Sequence, residues 1–301
     1  MPDEAPVMLK NPYGEGFTWL RGNLHTHTTR SDGARSPEAV IADYEGRKYD
    51  FLSISDHDVL VDPADYQAGT SMTLIPGVEI TAKGPHILHV NVTARVAPDP
   101  DRQRVLDEAA RQPESFTVLN HPNWQTHYNH FPQELMERLT GSLGVEVYNG
   151  VIDRLEGSSL ASDRWDRLLS IGKMAWGFGH DDSHDVQDVE IAWNVVQSSS
   201  RSAADIVAGL KAGRFYASTG VGIQSIRVHD RTIVVVTSNA QRIRFISRWG
   251  VIRSTVEDQA AEYTLPKRPS DALALQYIRV ECYGAGGRMA WAQPLWITAG
   301  S

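Results

Sequence analysis

The sequence predicts an α/β fold followed by a small antiparallel β module. Between residues 17 and about 213, short apolar runs alternate with amphipathic segments, and repeated strand–helix units of this kind favour a parallel sheet or barrel. From residue 223 onward, turn residues separate short strand-like segments and no helix is predicted. We therefore predict an irregular lead-in at residues 1–16, an α/β barrel at 17–220 and a β-rich module at 221–301.

The first predicted helix has the clearest start signal. Ser36 is a suitable N-cap and Pro37 suits the first helical position, after which Val40, Ile41 and Tyr44 fall on one face. The other predicted helices cover residues 102–111, 133–139, 163–171 and 203–211. The predicted strands of the barrel include residues 51–54, 116–119, 144–148 and 174–178. Those of the module cover residues 223–228, 232–237, 242–246, 275–280 and 289–297.

The composition is that of an ordinary globular protein. Of 301 residues, 41% are hydrophobic and 22% charged, and the net charge of -8 provides no global basic field for nucleic acid. A single cysteine, Cys282, excludes a disulfide within the chain and a thiolate zinc cluster. We see neither a signal-peptide pattern nor an apolar stretch of roughly 18 residues that could span a membrane. We therefore expect a cytoplasmic protein without membrane association.

Nine candidate metal ligands lie in short motifs within the first 184 residues. They are His25, His27, Asp32, His57, Glu79, His89, His121, Asp182 and His184. Several of them follow apolar strand-like runs, and in α/β barrels the carboxyl ends of the strands form the active site. Imidazole and carboxylate ligands without thiolate suit Mn, Zn or Fe. Two or three such ions with open coordination positions would generate hydroxide at neutral pH, which predicts a hydrolase.

Each candidate also has a purely structural interpretation. His25 and His27 would share one face of a strand, but His-x-His alone is a weak pattern that also fits two surface histidines. Glu79 could bridge two cations or simply end a strand in solvent. We prefer His89 to His86 as a ligand because His89 lies in an apolar run, where an unpaired imidazole would be costly. His86 follows a Gly-Pro step that is typical of a surface turn.

Residues 179–184 form the densest group of candidate ligands. Asp182 and His184 are two residues apart, a spacing that lets both face the same ion. His180 and Asp181 are better suited to holding those ligands in place. His180 is also our candidate for protonating a leaving group. The structural alternative for the whole segment is a solvated acidic loop.

Six short motifs follow one another in a fixed order between residues 22 and 184. They are Leu24-His25-Thr26-His27-Thr28, Ser31-Asp32-Gly33, Ser55-Asp56-His57-Asp58, Gly77-Val78-Glu79, Asn120-His121-Pro122 and Asp182-Ser183-His184. In content and order this series closely resembles the PHP (polymerase and histidinol phosphatase) family. The resemblance implies a distorted (β/α)7-type barrel with two or three metal ions at its mouth.

The resemblance also implies how the ligands would be divided among the ions. His25, His27, Glu79 and Asp182 would bind the first ion. Glu79, His89 and His121 would bind the second, with Glu79 bridging the two. Asp32, His57 and His184 would bind the third.

A looser resemblance extends to one branch of that family, the branch that includes carbaryl hydrolase. It rests on residues 19–25, on residues 213–220 and on the β-rich tail, and it implies hydrolysis of carboxylic (carbamate) esters as well as phosphoesters.

The chain also departs from many phosphatase members of the family, which carry a basic residue shortly after the His-Pro step. Here His121-Pro122 continues as Asn123-Trp124-Gln125, so a bidentate phosphate clamp is missing at this point. Arg30 or Lys83 could replace it, although we favour the interpretation that both are solvated surface charges. Trp124 could stack on an aromatic group or a sugar, or simply pack.

The sequence thus predicts a metal-dependent hydrolase, with a phosphoesterase favoured. A metal-bound hydroxide would attack a small organic phosphate or nucleotide, with Glu79, His180 and Arg30 as the catalytic candidates. A mononucleotide or short oligonucleotide is compatible with the chain, whereas a long nucleic acid is not expected. One alternative is a carboxylic ester, carbamate or amide hydrolase that uses the same site. Another is a non-catalytic, metal-stabilised binding module. The oligomeric state is not predicted.

Overall fold

The computed structural model describes residues 7–300. The α-helices are α1 (Pro37–Gly46), α2 (Arg102–Ala109), α3 (Gln133–Arg138), α4 (Ser162–Ser170), α5 (Ala203–Lys211) and α6 (Pro269–Leu273). The strands of the first two thirds are β1 (Val7–Lys10), β2 (Thr18–Asn23), β3 (Phe51–Leu52), β4 (Thr73–Leu74), β5 (Gly77–Ile80), β6 (Ile87–Val90), β7 (Phe116–Leu119), β8 (Gly144–Asn149), β9 (Trp176–His180), β10 (Trp193–Ser198) and β11 (Phe215–Ser218). The last third contains β12 (Ile223–His229), β13 (Thr232–Thr237), β14 (Ala240–Ser247), β15 (Val251–Val256), β16 (Ala260–Thr264), β17 (Tyr277–Gly284), β18 (Met289–Ala292) and β19 (Leu295–Ala299).

The predicted helices and barrel strands are confirmed, with shifts of a few residues at their ends. The start signal of α1 works as expected, because the Ser36 side chain accepts a hydrogen bond from the Ala39 backbone N–H at 3.4 Å. Two predictions about the ends of the chain are wrong. The lead-in is not irregular at residues 7–10, which form β1, and the C-terminal region contains the short helix α6. Residues 1–6 lie outside the described part of the chain.

Three sheets carry these strands. The largest has eleven strands, whose main path runs β1-β19-β17-β18-β11-β10-β2-β3-β4, with β14 paired to β17 and β15 paired to β14. The second has five strands in the order β5-β6-β7-β8-β9, and the third has three, β12-β13-β16. β2, β3 and β4 are parallel, as are β7, β8 and β9. The carboxyl ends of these two parallel groups are followed by the motif residues.

The strands of residues 7–300 do not form the closed (β/α)7 barrel that the sequence predicts. Pro76, which has no N–H to donate, lies between β4 and β5, and these two strands belong to different sheets. On the other side, β9 and β10 are neighbours without a shared ladder. Asn194 of β10 bridges this gap, since its Nδ2 donates to the Gly179 carbonyl at 2.9 Å and its Oδ1 accepts from the Gly179 N–H at 3.1 Å. The fold is therefore a mixed α/β arrangement with two interruptions in its ring of strands.

The C-terminal strands are continuous with the α/β part. β18 pairs with β11, and β19 pairs with β1, so strands from both sides of residue 220 share the largest sheet. A buried ion pair adds a second connection, because the Arg279 guanidinium on β17 donates to both carboxylate oxygens of Asp166 on α4 at 2.7 and 2.6 Å. The three-region division of the chain remains a prediction.

The core beneath the motif residues combines aromatic and aliphatic side chains. Phe178 of β9 and Phe215 of β11 are fully buried, with ring centroids 4.6 Å apart, and Leu24 packs in the same cluster. Burial of such large side chains fixes the strand ends that carry the motifs. Within residues 7–300, no helix combines the length and hydropathy needed to cross a bilayer.

We predict that Asn194→Ala lowers the free energy of unfolding by about 2 kcal/mol. The substitution leaves the buried N–H and carbonyl of Gly179 without their partners, and each such loss costs roughly 1–3 kcal/mol before relaxation. Chemical denaturation measures this change. Arg104→Ala is the control, because its exposed guanidinium makes only ion pairs of 3.6 and 3.8 Å, and we expect it to change stability by less than about 0.5 kcal/mol. Equal effects of the two substitutions would contradict the bridging role of Asn194.

Candidate metal centre

The motif residues meet at a cavity of about 270 Å³ at the carboxyl ends of the parallel strands. Its polar and charged lining consists of Asp32, His57, Glu79, His86, His121, Arg154, Asp182 and His184. His25 and His27 lie beneath it and are fully buried. Eight of the nine predicted ligands are therefore brought together, and one is not.

Backbone hydrogen bonds hold the motif loops against one another. The His27 N–H donates to the Ser183 carbonyl at 2.9 Å, and the Asp182 N–H donates to the His25 carbonyl at 3.0 Å. Asp182 takes a positive φ of 53°, a conformation that non-glycine residues rarely adopt and that is often retained at functional sites. These hydrogen bonds hold the loop of His25 and His27 beside the loop of Asp182, although 155 residues or more separate the two loops in the chain.

Glu79 lies at the centre of the cluster and is completely buried. Its Oε1 is 3.3 Å from His25 Nε2, 3.0 Å from His121 Nε2 and 3.2 Å from His86 Nδ1. Its Oε2 is 2.8 Å from His57 Nδ1. Burial alone would raise the pKa of Glu79, but His25, His86 and His121 outweigh it and hold the pKa well below its usual value. Glu79 is therefore a carboxylate that faces four imidazoles.

Asp182 is the second buried carboxylate of the site. Its Oδ1 is 2.9 Å from His27 Nε2 and 3.1 Å from His25 Nε2. Burial raises its pKa, yet His25 and His27 together hold the pKa well below the ordinary value. Burial likewise lowers the pKa of His25, but Asp182, Glu79 and Glu146 raise it well above 6.5. The inner part of the site is thus strongly anionic unless cations or protons balance it.

Asp32 is the carboxylate nearest to solvent, with 56% of its side chain exposed. Its oxygens are 3.4 Å from His57 Nε2 and 3.5 Å from His184 Nε2. Hydrogen bonds from His184 and His57 lower the pKa of Asp32. Burial lowers the pKa of His57, but Asp32 and Glu79 raise it to about 10. This outer group matches the third predicted ligand set, and it lies at the cavity mouth.

The turn that carries Asp32 depends on Gly33 and on a buried carboxylate. A Cβ at Gly33 would lie 2.6 Å from the His27 backbone, so a larger residue would push the turn away from the site. Asp56 is fully buried and accepts from the Thr28 N–H at 2.8 Å and the Ser31 N–H at 3.1 Å. Asp56 therefore supports the ligand loop rather than the cavity itself.

The structure places His86, and not the predicted ligand His89, beside Glu79. His89 pairs with Val78 across the β5–β6 ladder, and neighbours along a strand point to opposite faces, so His89 lies on the face away from Glu79. Its Nε2 is 2.7 Å from the Ser115 hydroxyl oxygen, and burial lowers its pKa to about 4. His86, just before β6, instead points its Nδ1 at Glu79. We expected His89 to bind a metal ion because an unpaired imidazole is costly in an apolar run. In the structure its imidazole has a partner, the hydroxyl of Ser115.

His180 is also misplaced as a proton donor to a leaving group. It is fully buried, and its Nδ1 is 2.7 Å from Glu146 Oε1. The same oxygen is 2.7 Å from His25 Nδ1, so His180 lies behind His25 and does not line the cavity. Because a carboxylate only accepts hydrogen bonds, both Nδ1 atoms carry the hydrogen and His25 Nε2 is free to face the site.

Three supporting residues were not found from the sequence. Glu146 orients His25, and its Oε2 accepts from the His121 N–H at 2.6 Å. Asn120 donates from Nδ2 to Glu79 Oε1 at 2.8 Å, and Asn149 donates from Nδ2 to Asp182 Oδ2 at 3.1 Å. Asn120 and Asn149 lie directly at the ends of β7 and β8, and position at a strand end is the one sequence signal that could have identified them.

Neither predicted basic substitute reaches the cavity. Arg30 is exposed and donates to the Tyr66 hydroxyl at 3.2 Å, and Lys83 donates to the Pro98 carbonyl at 3.2 Å. The structure therefore does not bring Arg30, a predicted catalytic residue, to the cavity. Arg154, which follows β8 in the 3₁₀ turn Gly150–Arg154, lines the cavity instead.

The cluster fits divalent cations. Buried polar atoms without a hydrogen-bond partner among the described residues include His25 Nε2, His27 Nε2, Glu79 Oε2 and Asp182 Oδ1, and such atoms are costly unless something binds them. These four residues converge. His27, Asp32, His57 and His184 form a further group whose ligand atoms lie within 4.8 Å of one another. Imidazole and carboxylate together suit Mn, Zn or Fe.

Comparisons with known proteins give two sequence relatives, while no protein-family model matches the chain. Over 74 residues the chain is 39% identical to the 5′-3′ exoribonuclease Rnm of Escherichia coli strain K12 and 38% identical to Rnm of Salmonella typhimurium strain LT2. The matched segment is 23% of this chain and spans only 25% of each relative. The match therefore concerns a part of those enzymes.

The fold comparison covers nearly the whole chain. A two-domain protein from Bacteroides vulgatus ATCC 8482, which contains a predicted PHP-like metal-dependent phosphoesterase, superimposes with a TM-score of 0.58 at 17% identity. The match covers 98% of this chain and 91% of that protein. The looser resemblance to the carbaryl-hydrolase branch is not confirmed by these relatives. The chain therefore shares the fold of a protein that contains a predicted PHP-like phosphoesterase, and this likeness of fold agrees with the resemblance seen in the sequence motifs.

Proposed function

We propose that this protein is a metal-dependent hydrolase that cleaves phosphoesters of small organic molecules. The observation that carries the proposal is the convergence of unpartnered, buried imidazole and carboxylate atoms on Glu79, beside a cavity. The PHP-like fold and the partial match to an exoribonuclease support phosphoester rather than carboxylic ester chemistry. The carboxylic ester and binding-module alternatives have no comparable support.

We assign the ligands to three groups around the two buried carboxylates. His25, His27, Glu79 and Asp182 would hold the first ion. Glu79, His86 and His121 would hold the second, so that Glu79 bridges both. Asp32, His57 and His184 would hold a third ion at the cavity mouth.

The residues of the chain prepare this site for hydrolysis. Bound divalent ions would supply a hydroxide nucleophile at neutral pH and neutralise charge on the phosphoryl oxygens. Glu146 fixes the tautomer of His25, and Asn120 holds Oε1 of Glu79. Because these partners are buried and already hydrogen-bonded, the ligand atoms need little rearrangement when substrate arrives.

The cavity favours a small substrate. Its volume of about 270 Å³ lies just below the usual range of roughly 300–1,000 Å³ for ligand pockets. The net charge of -8 does not attract a long nucleic acid. A small organic phosphate fits this description, and a mononucleotide or the end of a short oligonucleotide is compatible with it.

The ligand assignment predicts different outcomes for two neighbouring histidines. We expect His86→Ala to lose about one bound ion per chain, because it removes a ligand beside Glu79. His89→Ala is the matched control and should retain the full metal content, because His89 faces Ser115. Elemental analysis after dialysis against buffered Mn or Zn measures the difference. Loss of metal in the His89 variant with normal binding in the His86 variant would show that the assignment is reversed.

The proposed reaction predicts turnover of phosphate esters. We expect hydrolysis of p-nitrophenyl phosphate or bis(p-nitrophenyl) phosphate and little of p-nitrophenyl acetate. Asp182→Asn should lower kcat/KM at least about 100-fold, since even residues that only support metal ligands contribute roughly 10–100-fold. Glu108→Gln, on the exposed face of α2, is the control and should behave as wild type. Turnover of the acetate alone would contradict the proposal.

A further inference from the structure

The cavity has an apolar side that the ligand groups do not use. Trp124, Val151, Ile152 and Leu155 line it. Val151 and Ile152 are buried, whereas Trp124 is partly exposed and Leu155 is 41% exposed. We call these four residues the apolar wall. The apolar wall lies in the same cavity as the residues that we assign to the ions.

The apolar wall is held rigidly. Its two segments pair through an antiparallel bridge between Trp124 and Gly157, and the Ser158 N–H donates to the Asn123 carbonyl at 2.9 Å. Gly157 has a φ of +119°, and a Cβ there would lie 2.4 Å from the Asn123 carbonyl oxygen. The Val151 N–H donates to the Asp181 carbonyl at 2.9 Å. The side chains and backbone of the apolar wall therefore lose little conformational entropy when a ligand packs on them.

The apolar wall begins directly at the ligand histidines. The Trp124 ring centroid is 5.1 Å from that of His121, at an interplanar angle of 82°, and 5.6 Å from that of His86. His121 Nε2 is in turn 3.0 Å from Glu79 Oε1. A substrate group in contact with Trp124 would therefore lie next to the side chains that surround Glu79.

The charge beside the apolar wall is already compensated. Arg154 is the one lysine or arginine among the described residues that line the cavity. Its Nε and one terminal nitrogen donate to the two oxygens of Asp188 at 2.6 and 2.8 Å. Asp188 is buried and also accepts from the His184 N–H at 3.0 Å. A bidentate pair of this kind leaves little free positive charge for a second phosphate.

We propose that the apolar wall binds an aromatic leaving group, so that the substrate class is aryl phosphomonoesters. The proposal rests on the hydrolase function proposed above. Flat rings pack well on a tryptophan face or edge, and the wall adjoins the scissile position. In the reaction, water adds to phosphorus and the bond from phosphorus to the aryl oxygen breaks, with its electron pair on that oxygen. A proton derived from the water converts the aryloxide to a phenol, and inorganic phosphate is the second product.

Substrate comparison in wall variants tests this proposal. Phenyl phosphate, glycerol 2-phosphate and AMP are assayed with the wild-type protein and with Trp124→Ala. We expect Trp124→Ala to raise KM for phenyl phosphate about tenfold, since stacking on one aromatic side chain contributes on that order. The other two substrates should change less than about twofold. Tyr128→Ala, which removes an exposed aromatic of the same loop, is the control. Equal losses on all three substrates would overturn the proposal.

A binding measurement separates this proposal from the proposed function. The absorbance change of 4-nitrophenol reports its binding to the metal-free protein, where no turnover occurs. We expect measurable binding that Trp124→Ala weakens about tenfold and Tyr128→Ala leaves unchanged. If wild type hydrolyses no phosphate ester, the proposed function fails, and weakened 4-nitrophenol binding in the Trp124 variant still supports the wall. If Trp124→Ala binds 4-nitrophenol as tightly as the wild-type protein does, the proposal that the apolar wall binds the aromatic ring is wrong.

Discussion

A buried carboxylate among four imidazoles is the interaction on which the rest of the site depends. Glu79 is fully buried and close to His25, His57, His86 and His121. Burying a carboxylate is expensive unless positive charge compensates it. The neighbouring histidines lower the pKa of Glu79 against the opposing effect of burial, and divalent cations would compensate its charge more completely. The strand ends, held by the apolar core beneath them, bring these four imidazoles to within 3.3 Å of the Glu79 carboxylate.

A second layer of buried carboxylates holds the ligands in that arrangement. Glu146 contacts His25 and His180 behind the site, and Asp56 holds the turn of Asp32. Asp181 accepts from the Ile191 and Ala192 N–H groups at 2.7 and 2.9 Å, and burial raises its pKa to about 6. These carboxylates fix loops and tautomers, so the ligand atoms are positioned before any ion or substrate binds. The same rigidity extends to the apolar wall through the Trp124–Gly157 bridge.

The motifs allowed most of the site to be predicted because they sit at strand ends, where the fold must bring them together. The features that could not be predicted depend on the register of paired strands and on whether the barrel closes. Whether His86 or His89 lies on the face of Glu79 depends on which residue of β6 pairs with Val78. A shift of this register by one residue would place His89 on the face of Glu79. Glu146 lies within a strand that looks like ordinary core, and Arg154 reaches the cavity only through a turn after β8. Pro76 separates β4 from β5, and its effect on barrel closure is visible only in the order of strands within the sheets.

Anomalous diffraction from crystals of the Mn-loaded protein tests the central role of Glu79 most directly. The ligand geometry predicts two peaks, one on either side of the Glu79 carboxylate. The first should lie among His25, His27 and Asp182, and the second against His86 and His121. A third peak beside Asp32, His57 and His184 would complete the proposed set. Peaks that leave Glu79 without a bound ion, or a peak ligated by His89, would contradict the account.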